Sequence, residues 1–211
     1  MNEIMSSPRL KRVLQDSGTP LHQRDVEADQ ELREANASLS AEIAKLRLRI
    51  LELEQAANTD PLIPIYNRRA FIREVARAQS VMDRYDLPST LIFFDLDNFK
   101  MVNDKYGHRV GDTLLTKIGT VLKSAIRQCD MVARLGGDEF GVLLFKTDME
   151  LAKVKAAALS CRIAGQNIPD PEGKISVSAS WGVAPCEPGV VVEQILDRAD
   201  RAMYMAKQMA S

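Results

Sequence analysis

Four carboxylates stand in places where they could work together. Asp95 and Asp97 flank Leu96 at the end of an apolar run over residues 90–94, and Asp138 and Glu139 follow Gly136 and Gly137. The apolar runs 131–135 and 140–145 are separated only by that Gly-Gly-Asp-Glu stretch, which is the spacing of a β-hairpin. Carboxylates gathered beside a glycine turn suit Mg²⁺, a hard cation that prefers oxygen ligands and substrate phosphates. Glycine also lets backbone approach a ligand closely. On spacing alone, a capped strand end and a solvated acidic turn read equally well.

For the four groups to meet, the first run must lie beside the hairpin. Asn67 is a good N-cap, and Phe71, Val75, Ala78, Met82 and Tyr85 follow it at helical spacing. A helix over 111–126 carries Leu114, Leu115, Ile118, Val121, Leu122 and Ala125. Helices over 151–164 and 191–209 and a strand over 175–183 complete the order: helix, then β-α-β-β-α-β, then helix. This predicts an α+β fold with a ferredoxin-like βαββαβ core, an antiparallel sheet with the core helices on one face. In such a sheet the first strand and the hairpin are neighbours, so the carboxylates can converge. The fold by itself decides no function.

Upstream, residues 1–19 show no sustained period and read as a flexible N-terminal tail. Residues 20–57 differ. Leu32, Leu39, Leu46 and Leu53 recur every seven residues, with Asn36, Ile43, Ile50 and Ala57 at the other core position. Ile and Leu in these places, with one polar Asn, predict a parallel two-stranded coiled coil and hence a homodimer. The flanking charges agree, since Glu42 would face Arg47 and Arg49 would face Glu54 of the partner helix. The competing reading is one amphipathic helix lying on its own domain. Pro61 and Pro64 end the helix, leaving 58–211 as a globular domain.

The 211 residues carry a net charge of −1 and are 45% hydrophobic, enough for one compact domain with an appendage. A near-neutral chain without a basic face is not expected to bind nucleic acid, and no aromatic pair marks a base-stacking strand. A few local cations still suffice for a triphosphate. Cys129, Cys161 and Cys186 are too scattered for a disulfide framework or zinc site, which suits a reducing cytoplasm. No apolar stretch reaches the roughly 20 residues of a membrane span, and the start lacks a signal-peptide core, so direct membrane insertion is not expected.

The run Arg134-Leu-Gly-Gly-Asp-Glu-Phe140 resembles the signature of the GGDEF diguanylate cyclase family. The resemblance spans about 58–209. It includes Asp60-Pro-Leu, Asn67-Arg-Arg-Ala-Phe71, Phe94-Asp-Leu-Asp-Asn-Phe-Lys100, Asn103-Asp-Lys-Tyr-Gly-His108, Gly111-Asp112 and Ser178-Ala-Ser-Trp-Gly-Val-Ala184. It implies a bacterial cytoplasmic enzyme that condenses two GTP into cyclic di-GMP across a dimer, releasing pyrophosphate. Asp95, the Leu96 carbonyl, Asp138 and Glu139 are the implied metal ligands for Mg²⁺, with Mn²⁺ as substitute, and Asp138 and Glu139 the implied catalytic carboxylates. Asn103 and Asp112 match guanine readers; otherwise they are a helix cap and a first-turn acid. The amides of Asn98, Phe99 and Lys100 would cradle phosphates, and Lys207 would reach the terminal one. Arg127-Gln-Cys-Asp130 matches the family's R-x-x-D inhibitory product site, with Arg162 as a second arginine.

Two departures stand against the family pattern. Ile63, Pro64 and Ile65 replace its Thr, Gly and Leu, and proline cannot take positive φ. Ser211 stands where the family often has a further arginine, so either one phosphate contact is missing or the sequence is a truncated piece of a longer chain. The alternative reading is an impaired domain that binds GTP or cyclic di-GMP as a receptor.

Overall fold

A computed structural model of the chain describes residues 21–170 and 173–210. The segment 1–19, expected to be a flexible tail, and Ser211 lie outside the described residues. The chain divides into two compact units after Glu54.

Helix α1 (Leu21–Asn58) contains neither glycine nor proline and is rich in Ala, Leu, Glu and Arg, all strong helix formers. Its heptad residues Leu32, Leu39, Ile43, Leu46, Ile50 and Leu53 are 50–61% exposed. Short-range pairs such as Arg33 with Asp29 and Arg49 with Glu52 decorate its surface. The helix stops where Pro61 and Pro64 approach, and the loop behind it is built. The Asp60 carboxylate accepts from the Leu62 and Ile63 amides at 3.0 and 2.9 Å, and Ile63 and Ile65 are buried.

The second unit begins with β1 (Tyr66–Asn67) and α2 (Arg68–Tyr85), whose N-cap is Asn67 as expected: its side chain accepts from the Ala70 amide. There follow β2 (Ser89–Leu96), α3 (Phe99–Tyr106), α4 (His108–Ser124), β3 (Met131–Gly136), β4 (Glu139–Phe145), α5 (Met149–Ala164), β5 (Ile168–Asp170), β6 (Gly173–Ile175), β7 (Ala179–Pro185) and α6 (Val192–Ala210). The main sheet has the order β1-β3-β4-β2-β7. Without β1 this is the ferredoxin-like order, antiparallel throughout. The two-residue β1 adds a parallel edge beside β3; it is too short to show a period.

Alternation along β2 sends Ile92, Phe94 and Leu96 to one face and Leu91 and Phe93 to the other. The first face packs Leu114, Ile118 and Leu122 of α4 and Ala156, Leu159 and Ile163 of α5. The second packs Phe71 and Val75 of α2 and Ile195 and Ala199 of α6. The core helices therefore share one face as expected, and the flanking helices cover the other.

Two expectations need correcting. The strand expected over 175–183 is found only from Ala179, as β7 paired with β2; Ile175 instead ends β6, which pairs with β5 in a separate hairpin. The chain changes partners between them, and partner choice is not a property of local propensity. The helix expected from 111 begins at His108, and α3 precedes it unforeseen; Gly107, at φ +83, separates the two.

Candidate active site

The carboxylates meet at one end of the sheet. Asp95 lies directly opposite Glu139 in the β2–β4 ladder, and the Leu96 amide donates to the Asp138 carbonyl at 3.3 Å. Between β3 and β4 only Gly137 and Asp138 turn the chain, and Gly137 takes φ +41, which favours glycine. Arg134 braces the turn: its Nε donates to the Gly137 carbonyl at 2.9 Å and its Nη1 reaches Asp60 Oδ1 at 3.4 Å. The arginine thus links the loop after α1 to the turn that carries Asp138.

Crowding sets the electrostatics. Burial pushes the Asp138 and Glu139 carboxyls above the ordinary carboxylate range, and the Asp95 charge pushes both the same way. A cation already answers this charge. Lys207 Nζ lies 2.8 Å from Asp95 Oδ1 and 3.1 Å from Asp97 Oδ1, and its hydrogen bond to Asp95 raises its affinity for the proton. Burial works against the Asp97 charge. Hydrogen bonds from Ser178 at 2.6 Å, Ser180 at 2.8 Å and Lys207 outweigh it, so Asp97 stays below its usual range. Sequence reasoning counted Asp97 among the converging carboxylates but gave no role to Ser178 or Ser180; the Asp-x-Asp alternation, which puts both acids on one side of the chain, was the available signal.

Asn98 takes φ +58 ahead of α3, and the first-turn amides of Phe99 and Lys100 have no acceptor within the helix. Asp97, Asn98, Ser178, Ser180, Trp181 and Lys207 line one cavity. Further along α3, the Asn103 side chain fills the space where a Cβ on Gly111 would stand, with Phe99 Cζ 3.1 Å from that point. Asn103 therefore lies against the residue preceding Asp112. Neither is placed as their bland alternatives required: Asn103 is inside α3, and Asp112 lies beyond the first turn of α4.

Three residues lie elsewhere. Arg127 is exposed and Asp130 half-buried, at the end of β3 away from Asp138. The Asp130 carboxylate accepts from the Arg127 and Phe145 amides, both at 3.1 Å. Arg162 is exposed on α5, two turns beyond Lys155, whose ammonium touches the Ala125 carbonyl at 2.6 Å.

The donor set suits a hard divalent ion. Asp95, Asp138 and Glu139 offer oxygen only, and their mutual repulsion is what a cation relieves. Among the described residues no three acidic, His or Cys side chains are gathered closely enough to cage a metal alone. Among the described residues no helix is long and apolar enough to cross a membrane.

This fold, with acidic residues at a two-residue turn beside a strand end and a lysine from the last helix, defines a nucleotide-cyclase-type domain. Residues 57–211 match the family described as Diguanylate cyclase, GGDEF domain, and the chain belongs to that family. It is 34% identical over 158 residues to the diguanylate cyclase DgcS of Shewanella oneidensis, covering 74% of this chain and 51% of that protein. It is 35% identical over 158 residues to DgcM of Escherichia coli, covering 74% and 37%. The chain thus spans about half, or less, of the length of these relatives. Among solved structures it resembles the coiled coil and GGDEF domain of DgcB from Caulobacter crescentus in complex with c-di-GMP. That likeness has a TM-score of 0.76 and 25% identity, over 84% of this chain and 94% of that one. Diguanylate cyclase SiaD of Pseudomonas aeruginosa, solved with its activator SiaC, matches with a TM-score of 0.72 and 27% identity, over 95% and 77%.

Proposed function

We propose that this chain is a diguanylate cyclase, joining two GTP molecules into cyclic di-GMP with release of two pyrophosphates. The observation that carries the reading is the convergence of Asp95, Asp138, Glu139 and Lys207 at one end of the sheet, beside the first turn of α3. Each 3′-hydroxyl attacks the α-phosphate of the other GTP, and pyrophosphate leaves. Asp95, Asp138, Glu139 and the Leu96 carbonyl would hold Mg²⁺, or Mn²⁺ in its place, which supplies charge neutralisation at the phosphates when bound. The amides of Asn98, Phe99 and Lys100 receive phosphate oxygens, and Lys207 the terminal phosphate. Asn103 supplies an amide and Asp112 a carboxylate to the guanine edge; a carboxylate accepts from the N1 and N2 donors.

One domain holds one GTP, so two domains must face each other. The exposed heptad row of α1 supports a parallel homodimer. A coil of this kind raises the effective concentration of the domains to the order of millimolar. The exposed Arg127 with Asp130, and Arg162, form the proposed site for product feedback. The place of action is the bacterial cytoplasm.

Incubating the protein with GTP and Mg²⁺ and identifying the products by mass tests the activity; wild-type protein that leaves GTP intact or yields only GDP overturns it. Replacing Leu39 and Leu46 with Asp places charge in the seam and should dissociate the dimer. Sedimentation and an activity titration should then show activity per chain falling at low protein concentration and recovering in part at high concentration. A monomeric variant of undiminished, concentration-independent activity refutes the coil's role.

A further inference from the structure

The Lys207 ammonium sits three residues before the end of α6, where helices fray. A lysine there has a flexible four-carbon stem, so something must hold its head. Two carboxylates do so, and they are not equivalent. Asp95 is also needed as an oxygen donor at the proposed metal site. Asp97 has its bonds committed differently: Ser178 Oγ donates to Oδ2 at 2.6 Å and Ser180 Oγ to Oδ1 at 2.8 Å. Lys207 Nζ shares Oδ1 at 3.1 Å. The Asp97 amide also donates to the Ser178 carbonyl at 2.9 Å, so backbone and side chain both tie this residue to the approach to β7. The helix carrying the lysine is brought close by Gly182. A Cβ there would collide with the Ala199 carbonyl and the Met203 amide, and Lys207 lies one turn past Met203.

We propose that Asp97 is a positioning residue, locked by Ser178 and Ser180, that seats the Lys207 ammonium at the terminal phosphates of the substrate. The inference rests on the GTP reading given above. A seat distinct from Asp95 lets that carboxylate serve the phosphates' counter-ion while the lysine stays in place. Without Asp97, one of the carboxylates that hold the ammonium is gone, more of its ordering falls to the substrate, and that entropy is lost from binding.

A double-mutant cycle tests this. The measured quantity is the affinity for a GTP analogue whose α–β bridging oxygen is replaced by methylene, so that no turnover intervenes. Asp97→Asn keeps size and the backbone bond to Ser178 but removes the charge; it should weaken binding about tenfold, the loss typical of a charge-assisted hydrogen bond. Lys207→Met should weaken it at least as much, and the double variant should match Lys207→Met within about twofold, as coupled groups do. GMP, which lacks the terminal phosphates, should bind wild type and Asp97→Asn alike. A merely structural Asp97 gives losses that multiply with Lys207→Met, or that extend to GMP, and either result overturns the proposal, as does wild-type affinity in Asp97→Asn. Should Asp97→Asn not fold, the Ser178→Ala, Ser180→Ala pair loosens the seat and must show a smaller loss in the same direction. Inorganic tripolyphosphate run through the same cycle separates the two readings. Coupling for tripolyphosphate without binding of the GTP analogue refutes the substrate and keeps the seat; no binding of either refutes both.

Discussion

Strand β3 has an aspartate just outside each end, and the two live under opposite conditions. Asp130 gives both carboxylate oxygens to the fold, accepting from the Arg127 amide through one and the Phe145 amide through the other. Asp138 sits on a two-residue turn, partly desolvated, in the field of Asp95 and with its proton affinity raised. A carboxylate with its bonds satisfied by backbone is structural. One left crowded beside another acid stores an electrostatic cost that a cation relieves. In the R-x-x-D motif, Asp130 shapes the loop through its two backbone bonds, while the Arg127 side chain is exposed.

The sharpest way to break this comparison is to truncate both aspartates. Asp138→Ala should lower product formation by at least ~10²-fold, the usual cost of removing an electrostatic stabiliser, with the melting temperature unchanged or higher. Near-normal turnover would remove Asp138 from the site. Asp130→Ala should do the reverse. It orphans the Arg127 and Phe145 amides, so urea denaturation should show a loss of about 1–3 kcal/mol, while turnover per folded chain stays within a few fold. Unchanged stability would show that water replaces the carboxylate without cost.

Smaller effects sharpen the contrast. Arg127→Ala should leave the initial rate within about twofold and weaken inhibition by cyclic di-GMP about tenfold, since charged hydrogen bonds are lost. Progress curves of wild type and variant that flatten at the same product concentration deny the site a role. The smallest signal is the order of titration. In metal-free protein, carboxyl-carbon NMR on adding acid should show Asp138 and Glu139 protonating before Asp97. The signs for stability follow. Asp97, held low, contributes stability above the ordinary Asp value of about 3.9, lost as pH falls through its folded pKa. Asp138 and Glu139, held high, cost stability when charged, and acid relieves that cost. Reversed order would mean that the serine clamp on Asp97 does not form in solution.

Much of this was legible in one dimension. The heptads from Leu32 to Leu53, the Asn67 cap, the strand ending at Asp95 and the Gly-Gly-Asp-Glu hairpin are local patterns, because period, capping and turn chemistry are decided within a few residues. The sites that depend on chain segments far apart were not. That 175–183 is not one strand, with Ile175 ending β6 and residues 179–183 lying in β7, follows from which partner each stretch finds. Helix α3 shows too little periodicity to declare itself, and Asp130's use as a structural acceptor depends on Phe145 returning beside it.

The amino-acid sequence by itself determined the family, the order of the four core strands and the longer helices, and most of the residue types at the site. Only the tertiary structure decided that Lys207, 112 positions along the chain from Asp95, closes the carboxylate cluster. It alone also decided that Ser178 and Ser180 clamp Asp97 across the β2–β7 ladder. The physical reason is that a hydrogen bond between remote residues has no periodic trace in sequence. It exists only when a register, here Asp95 opposite Ser180, and a close helix approach, here over Gly182, bring donor and acceptor within 3 Å or so of each other.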